Sequence, residues 1–149
     1  MQLAEKRSIG ETYAAGTSNA GGSKRRLWAG GILSGLAVAF LAFDCTIKLL
    51  RLAPAVEGTV QLGFPAGVLV PLGIVQLVCL VLYLIPRSAV LGAVLWTGYL
   101  GGAIATHVRL GNPLFTHVLF PIYVAILIWG GLYLRDGRLR AIFPLRQGD

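Results

Sequence analysis

Two charged side chains lie four residues apart within an apolar stretch of the sequence. Asp44 and Lys48 are the only Asp, Glu, Lys or Arg residues inside any of its four long apolar runs. On a helix this spacing places them on one face, with the acid before the base, which is the favourable order for an ion pair. Charged residues at such positions usually face the interior of a bundle. Two interpretations stay open: the charged wall of a cavity, or a lysine that reaches the membrane surface beside a neutralising aspartate.

Other polar residues are expected at a similar depth, because the connections between the later runs are short. An imidazole can transfer a proton, bind a metal or donate a hydrogen bond, although a single histidine is more often structural. We therefore predict no metal site and assign no catalytic residue. Six residues are the candidate ligand contacts: Asp44, Lys48, Gln76, His107, Arg109 and His117.

The elements that must position these residues are the apolar runs themselves. They cover residues 27–50, 68–85, 89–106 and 114–134, close to the roughly 20 residues that cross a bilayer as a helix. Charged residues make up 13% of the chain, against about 25% in soluble domains, which excludes a soluble globular protein. Since backbone polar groups must be paired within lipid, we predict an all-α protein, an integral membrane antiparallel four-helix bundle.

Positive residues are distributed unevenly between the two sides of the predicted bundle, with ten on one side and Arg51 and Arg109 on the other. The ten are Lys6, Arg7, Lys24, Arg25, Arg26, Arg87, Arg135, Arg138, Arg140 and Arg146. The positive-inside rule then predicts that both termini are cytoplasmic. This topology explains the net charge of +7, so no nucleic-acid partner is expected. The predicted domains are a flexible cytoplasmic tail over 1–26, a four-span domain over 27–143 and a cytoplasmic tail over 144–149.

Glycines four residues apart are typical of close helix contacts in membranes. Gly31 and Gly35 form such a pair in the first run, and Gly98 and Gly102 form another in the third. We expect both pairs to pack inside the bundle. Pro121 removes a backbone donor in the middle of the fourth run and predicts a kink there.

Two further expectations concern the ends of the runs. The segment 51–67 contains two prolines and is predicted to be structured or partly re-entrant. Aromatic residues near the predicted cytoplasmic ends fit a belt at the membrane interface. They are Trp28, Tyr83, Trp129 and Tyr133.

Several short motifs carry a family resemblance. One is the Phe43–Leu49 element of the first run, and five others follow along the chain. They are Tyr83–Arg87, Leu91–Ala93, Gly98–Arg109, Tyr133–Asp136 and Arg138–Arg140. In these the chain resembles the DoxX-like family of small bacterial membrane proteins, whose namesake resembles a membrane subunit of an archaeal thiosulfate:quinone oxidoreductase. The resemblance implies a multi-pass four-helix bundle in the bacterial inner membrane and a quinone-linked redox role, and it assigns no catalytic residue.

Three classes of function stay open, in this order. The first is a redox-associated membrane subunit that binds quinone or another small lipophilic ligand in an outer-leaflet cavity, beside a membrane or soluble redox partner protein. The second is a non-catalytic structural or assembly partner of another membrane protein. The third is an enzyme acting on a lipid-like substrate, with Asp44 and His107 transferring protons. Quinone is the one candidate cofactor.

Overall fold

The structure, a computed structural model, describes residues 2–142, with side chains from Lys24 onward. These residues form six α-helices, and no strand occurs among them. The helices are α1 Gln2–Leu49, α2 Ala53–Gln61, α3 Leu69–Leu84, α4 Ala89–Arg109, α5 Phe120–Arg135 and α6 Gly137–Ile142. Two shorter turns complete the fold: a 3₁₀ turn over Ala66–Val68 leads into α3, and a π-helical turn over Leu114–Val118 precedes α5.

Four segments of the described chain are long and apolar enough to cross a membrane. They are Lys24–Leu49, Ala66–Leu84, Ala89–Arg109 and Leu114–Arg135. Large apolar side chains such as Phe43, Val78 and Ile126 stay more than half exposed on their outer surfaces. So much exposed apolar surface suits lipid rather than water. The predictions of an all-helical chain and of four membrane-length helices are confirmed.

Helix α1 extends from its membrane-length part back to Gln2. The predicted flexible tail over 1–26 stays a prediction, because side chains before Lys24 lie outside the described residues. The predicted cytoplasmic tail over 144–149 also lies outside them.

The membrane-length segments pack in a ring. Helix α1 contacts α3 and α5, and α4 contacts the same two helices. The centre of the ring is filled by large side chains that are almost fully buried: Leu41, Tyr83, Trp96, Ile128 and Leu132. Because lipid chains are as apolar as these side chains, the closeness of the fit stabilises the bundle more than the removal of water does.

At one end of the bundle the helix backbones approach one another closely. We call it the glycine end and define it by Gly30, Ser34, Tyr83, Gly92 and Gly131. A Cβ placed on Gly131 would lie 2.7 Å from the backbone nitrogen of Ser34, so no side chain fits where α5 crosses α1. A Cβ on Gly92 would lie 2.6 Å from the Cα of Tyr83, where α3 turns into α4. Glycine is required at both approaches.

The two glycine pairs predicted from the sequence do not make such contacts. An added Cβ would meet no atom within 4 Å at any of the four: Gly31, Gly35, Gly98 and Gly102. Helix α1 instead uses Gly30 and Ser34, which also lie four residues apart but one position earlier. The prediction was wrong because one position turns a side chain by about 100° around a helix, away from α5.

Pro121 lies just after a bend in the fourth span, in the first turn of α5. In the π-helical turn before it, the amide of Leu119 donates to the carbonyl of Leu114 over 2.8 Å. Helix α5 then starts at Phe120, with Pro121 in its first turn. Proline is well tolerated there because the first helical amides have no partner within the helix. The chain bends at Leu119, between this turn and α5, so the interruption predicted for the fourth span is present just before Pro121.

Helix α2 lies in the connection between α1 and α3 and contacts both. Two residues in the left-handed region reverse the chain around it: Arg51, with a φ of 53°, and Gly63, with a φ of 82°. The predicted structured segment over 51–67 is thus a short helix that folds back onto the bundle.

Tyr83 is not part of an aromatic belt, because it is fully buried. Its hydroxyl donates to the carbonyl of Ile128 over 3.0 Å and lies 3.2 Å from the hydroxyl oxygen of Ser34. The guanidinium of Arg135 lies 5.1 Å from the centre of its ring. Tyr83 therefore joins α3 to α1 and α5. Trp28, by contrast, is 76% exposed.

Candidate functional site

The other end of the bundle holds the predicted candidate residues. We call it the polar end and define it by Asp44, Lys48, Gln76, His107 and His117. The Oδ2 atom of Asp44 accepts hydrogen bonds from the ammonium of Lys48 and from Nε2 of Gln76, the latter over 2.6 Å. Lys48 is 16% exposed and Asp44 27% exposed, so the two charges neutralise each other largely out of solvent.

The amide of Gln76 connects α3 to this ion pair. A carboxylate can only accept hydrogen bonds, so the amide nitrogen of Gln76 must face Asp44 and the amide oxygen must point elsewhere. Gln76 is 1% exposed, and its Oε1 atom has no hydrogen-bond partner in the described part of the chain.

The two histidines lie edge to face, with 5.6 Å between their ring centres. Nδ1 of His107 lies 2.8 Å from the amide nitrogen of Asn112, so neutral His107 carries its proton on Nε2. Nδ1 of His117 lies 2.8 Å from the hydroxyl of Thr116. His107 is half-buried and His117 exposed, and the turn between α4 and α5 brings them together.

A central chamber of about 500 Å³ lies between α1, α3, α4 and α5. Its polar lining includes Asp44, Lys48, Thr59, Gln76 and His107. The rest of the wall is mainly apolar and includes Phe40, Leu72, Phe120 and Val124. A polar head and an apolar body are the two parts of a ligand that such a wall would accommodate.

A second chamber of about 420 Å³ lies under α2, and we call it the α2 chamber. The two chambers share Leu62 and the polar residues Asp44, Lys48, Thr59 and His107, which therefore form the boundary between them. His117 and Asn112 line the α2 chamber alone. Five of the six candidate residues thus occupy one continuous polar region, with Gln76 at its inner side and His117 at its outer side.

Arg109 is the candidate residue that the structure places elsewhere. Its Nη2 atom donates to the carbonyl of Leu62 over 3.0 Å and lies beside Gly63, in the connection after α2. It lines neither chamber. Its contact fixes the end of α2 to the end of α4, which is a structural role.

Sequence reasoning missed Trp96, whose side chain is fully buried in the wall of the central chamber. Its indole nitrogen, like Oε1 of Gln76, is buried without a partner among the described residues. Tryptophan in membrane helices usually lies near the interface, so a tryptophan in the middle of the third run was the available signal. Asn112 and Thr59 were also missed, because short polar residues in the connections between the apolar runs gave no comparable signal.

The central chamber exists because α4 carries small residues on its inner face. Gly98 and Gly102 line the chamber, and a Cβ at either would meet open space. Their pair therefore leaves volume for an occupant instead of bringing two helices together. Gly101 is just as open but does not line the chamber.

Four apolar helices around a partly polar chamber define the chain as a multi-pass membrane protein. A comparison with protein families then identifies it more closely: the chain belongs to the DoxX-like family, whose model matches residues 32–131. The matched region contains every candidate residue and both glycines of the chamber. No curated protein and no solved structure matches the chain.

Proposed function

We propose that this protein binds a small lipophilic ligand with a polar head in the central chamber, as a redox-associated membrane subunit with quinone as the leading ligand. The observation that carries the proposal is the asymmetry of the chamber wall. Asp44, Lys48, Thr59 and His107 lie where the chamber borders the α2 chamber, and the remainder of the wall is mainly apolar. A quinone ring would lie among the polar groups, with its apolar tail along α4 and α5.

The polar groups supply the contacts that a quinone needs. The ammonium of Lys48 and the Nε2–H of His107 are donors, and quinone carbonyls are acceptors. Asp44, His107 and the shared boundary with the α2 chamber provide groups that hold protons near the head, which the reduction of a quinone requires. The electron donor would be a membrane or soluble redox partner protein.

The proposal includes a topology. In an antiparallel bundle with both termini in the cytoplasm, the polar end faces the outer leaflet of the bacterial inner membrane, and the arginine-rich glycine end faces inward. Single cysteines introduced at Glu57 and Arg138, in a chain without Cys45 and Cys79, test this. An impermeant thiol reagent added to intact cells should label position 57 and should label position 138 only after the membrane is opened. The reverse pattern would refute the topology.

Binding is tested by quenching of tryptophan fluorescence with a short-chain benzoquinone, using the full chain in lipid nanodiscs. Trp96 lies in the chamber wall, whereas Trp28 and Trp129 do not, so quinone in the chamber should give saturable quenching that Trp96→Phe removes. Quenching from quinone dissolved in lipid does not saturate and should survive that substitution.

A matched pair of glycine substitutions locates the binding site. Gly102→Leu introduces a side chain into the chamber and should weaken saturable binding about tenfold or more. Gly101→Leu makes the same chemical change at the neighbouring position, outside the chamber wall, and should leave binding within twofold. Equal effects of both variants, or no saturable quenching in the original chain, would contradict the proposal and favour a structural or assembly role.

A further inference from the structure

Gln76 and Trp96 both line the central chamber, and each has one buried polar atom without a hydrogen-bond partner among the described residues. The indole nitrogen of Trp96 can only donate, and Oε1 of Gln76 can only accept. Both atoms are inaccessible to solvent and have no partner within the described residues, and both side chains are at most 1% exposed. A buried polar group without a partner costs free energy, so such atoms in a native structure require an explanation.

Rotating the side-chain amide of Gln76 by about 180° would not give all of its polar atoms a partner. Reversing Gln76 would place its oxygen against the carboxylate of Asp44, which already accepts from Lys48. The present orientation is therefore held by the ion pair, and the amide oxygen stays without a partner among the described residues. Trp96 is held in turn by its edge-to-face contact with Tyr99, whose ring centre lies 5.5 Å away.

We infer that the chamber selects a ligand whose head is a hydroxyl group on an apolar body. A hydroxyl oxygen accepts from Trp96 while its hydrogen is donated to Gln76, so one group can supply what both atoms lack. This inference rests on the proposed function, since both place a ligand in the central chamber. It goes further by naming the head: an alcohol or phenol, and therefore the quinol rather than the quinone of a redox pair.

A ligand with a carbonyl head can pair with only one of the two atoms. A quinone oxygen can accept from Trp96, but it offers no hydrogen to Gln76 and leaves that acceptor buried and unpaired. Sites built to hydrogen-bond a hydroxyl reject analogues that lack it, because the unpaired group of the site is then desolvated without compensation. The competing explanation is a resident water molecule, which has the same donor and acceptor capacity. A water would satisfy both atoms without favouring any ligand.

The decisive experiment compares probes of equal size with the full chain in lipid nanodiscs. The probes are a heptyl hydroquinone, the corresponding benzoquinone and the hydroquinone dimethyl ether, with affinities measured by isothermal titration calorimetry. The hydroquinone should bind about tenfold more tightly than either of the others, because only it can donate to Gln76. No substitution is needed, so the test does not depend on the folding of a variant.

Two variants test which side chain causes the preference for the hydroquinone. Gln76→Met keeps the length of the side chain and removes the acceptor, so the three affinities should become equal within about twofold. Trp96→Phe removes a donor on which all three probes can draw, so it should weaken each several-fold and preserve their ratios. A preference that survives Gln76→Met would overturn the assignment to Gln76.

The outcomes separate this inference from the proposed function. Saturable binding with equal affinity for the three probes would overturn the inference, favour the resident water and leave the proposed function intact. No saturable binding of any probe would overturn both. A fourth probe, 4-heptylcyclohexanol, distinguishes two sources of the same hydroxyl chemistry. Binding equal to that of the hydroquinone indicates a lipid alcohol, and weaker binding indicates an aromatic diol.

Discussion

The two ends of the bundle are built from similar residues but differ in how closely their helices approach. At the glycine end, Gly92 and Gly131 lie so close to neighbouring backbones that a Cβ would collide with them. At the polar end, Gly98 and Gly102 face a chamber of about 500 Å³. Glycine thus has two opposite effects in one fold: it allows close contact between helices at one end and leaves open volume in the chamber at the other.

The two ends also differ in whether their buried polar side chains have hydrogen-bond partners. Near the glycine end, the hydroxyl of Tyr83 has two neighbours and is satisfied within the protein. Near the polar end, Gln76 and Trp96 each keep a buried atom without a partner among the described residues. A closed end that satisfies its own groups stabilises the fold, and an end that leaves groups unsatisfied is suited to binding. The comparison predicts that the two ends respond differently to matched substitutions.

The largest effect is expected for Gly131→Ala. The new methyl group would lie 2.7 Å from the backbone nitrogen of Ser34, so α1 and α5 must separate, at a cost of about 3 kcal/mol. Gly130→Ala is the control, because its Cβ would meet only the end of Leu33 at 3.8 Å. Thermal unfolding in detergent should show a large fall in Tm for Gly131→Ala and almost none for Gly130→Ala. Similar Tm values for both variants would mean that the glycine end is not closely packed.

A smaller effect is expected when the ion pair of the polar end is broken. Asp44→Asn or Lys48→Met leaves one charge without its partner and should cost about 2 kcal/mol, less than a fully buried pair because both residues retain some exposure. The double variant should be closer in stability to the original chain. The coupling is measured by a double-mutant cycle on the free energy of unfolding, and purely additive effects would show that the two residues do not stabilise each other.

Tyr83→Phe should have a smaller effect again. The substitution removes the hydroxyl that donates to Ile128 and leaves that carbonyl without this donor, which costs about 1 kcal/mol. Tyr123→Phe at an exposed position provides the control. Denaturant unfolding should show a lower midpoint for Tyr83→Phe and an unchanged midpoint for Tyr123→Phe. An unchanged midpoint for both would mean that the closed end does not depend on this hydrogen bond.

The sequence was sufficient to predict the helices, because apolar runs of membrane length leave the backbone no other structure. It was also sufficient to predict that Asp44 and Lys48 interact, since their spacing within one helix fixes their geometry. Contacts between helices were harder to predict. Gly30 and Gly31 are adjacent and equally small, and only the direction of the neighbouring helix decides which one is buried against it.

Residues that acquire their role from several helices at once could not be found from spacing. The unpaired atoms of Gln76 and Trp96 become apparent only after every possible partner has been placed around them. Arg109 illustrates the reverse case: it lies two residues from His107 in sequence, yet its long side chain reaches the connection after α2 instead of the chamber. Short-range spacing predicts the residues of one helix face, whereas long side chains at helix ends can turn to either side.

The smallest effect is expected for glycines that face neither a helix nor the chamber. Gly31→Ala and Gly101→Ala each place a methyl group in open space and increase helix propensity, so each should raise the free energy of unfolding by up to about 1 kcal/mol. Gly31 lies in a surface hollow with Leu27, Trp28 and Ile32, which the single chain leaves uncovered. Unfolding in detergent should therefore give equal, slightly increased stabilities for the two variants. Loss of stability in Gly31→Ala alone would show that this face of α1 packs against another helix. Analytical ultracentrifugation of the two variants would then reveal whether that helix belongs to a second copy of the chain.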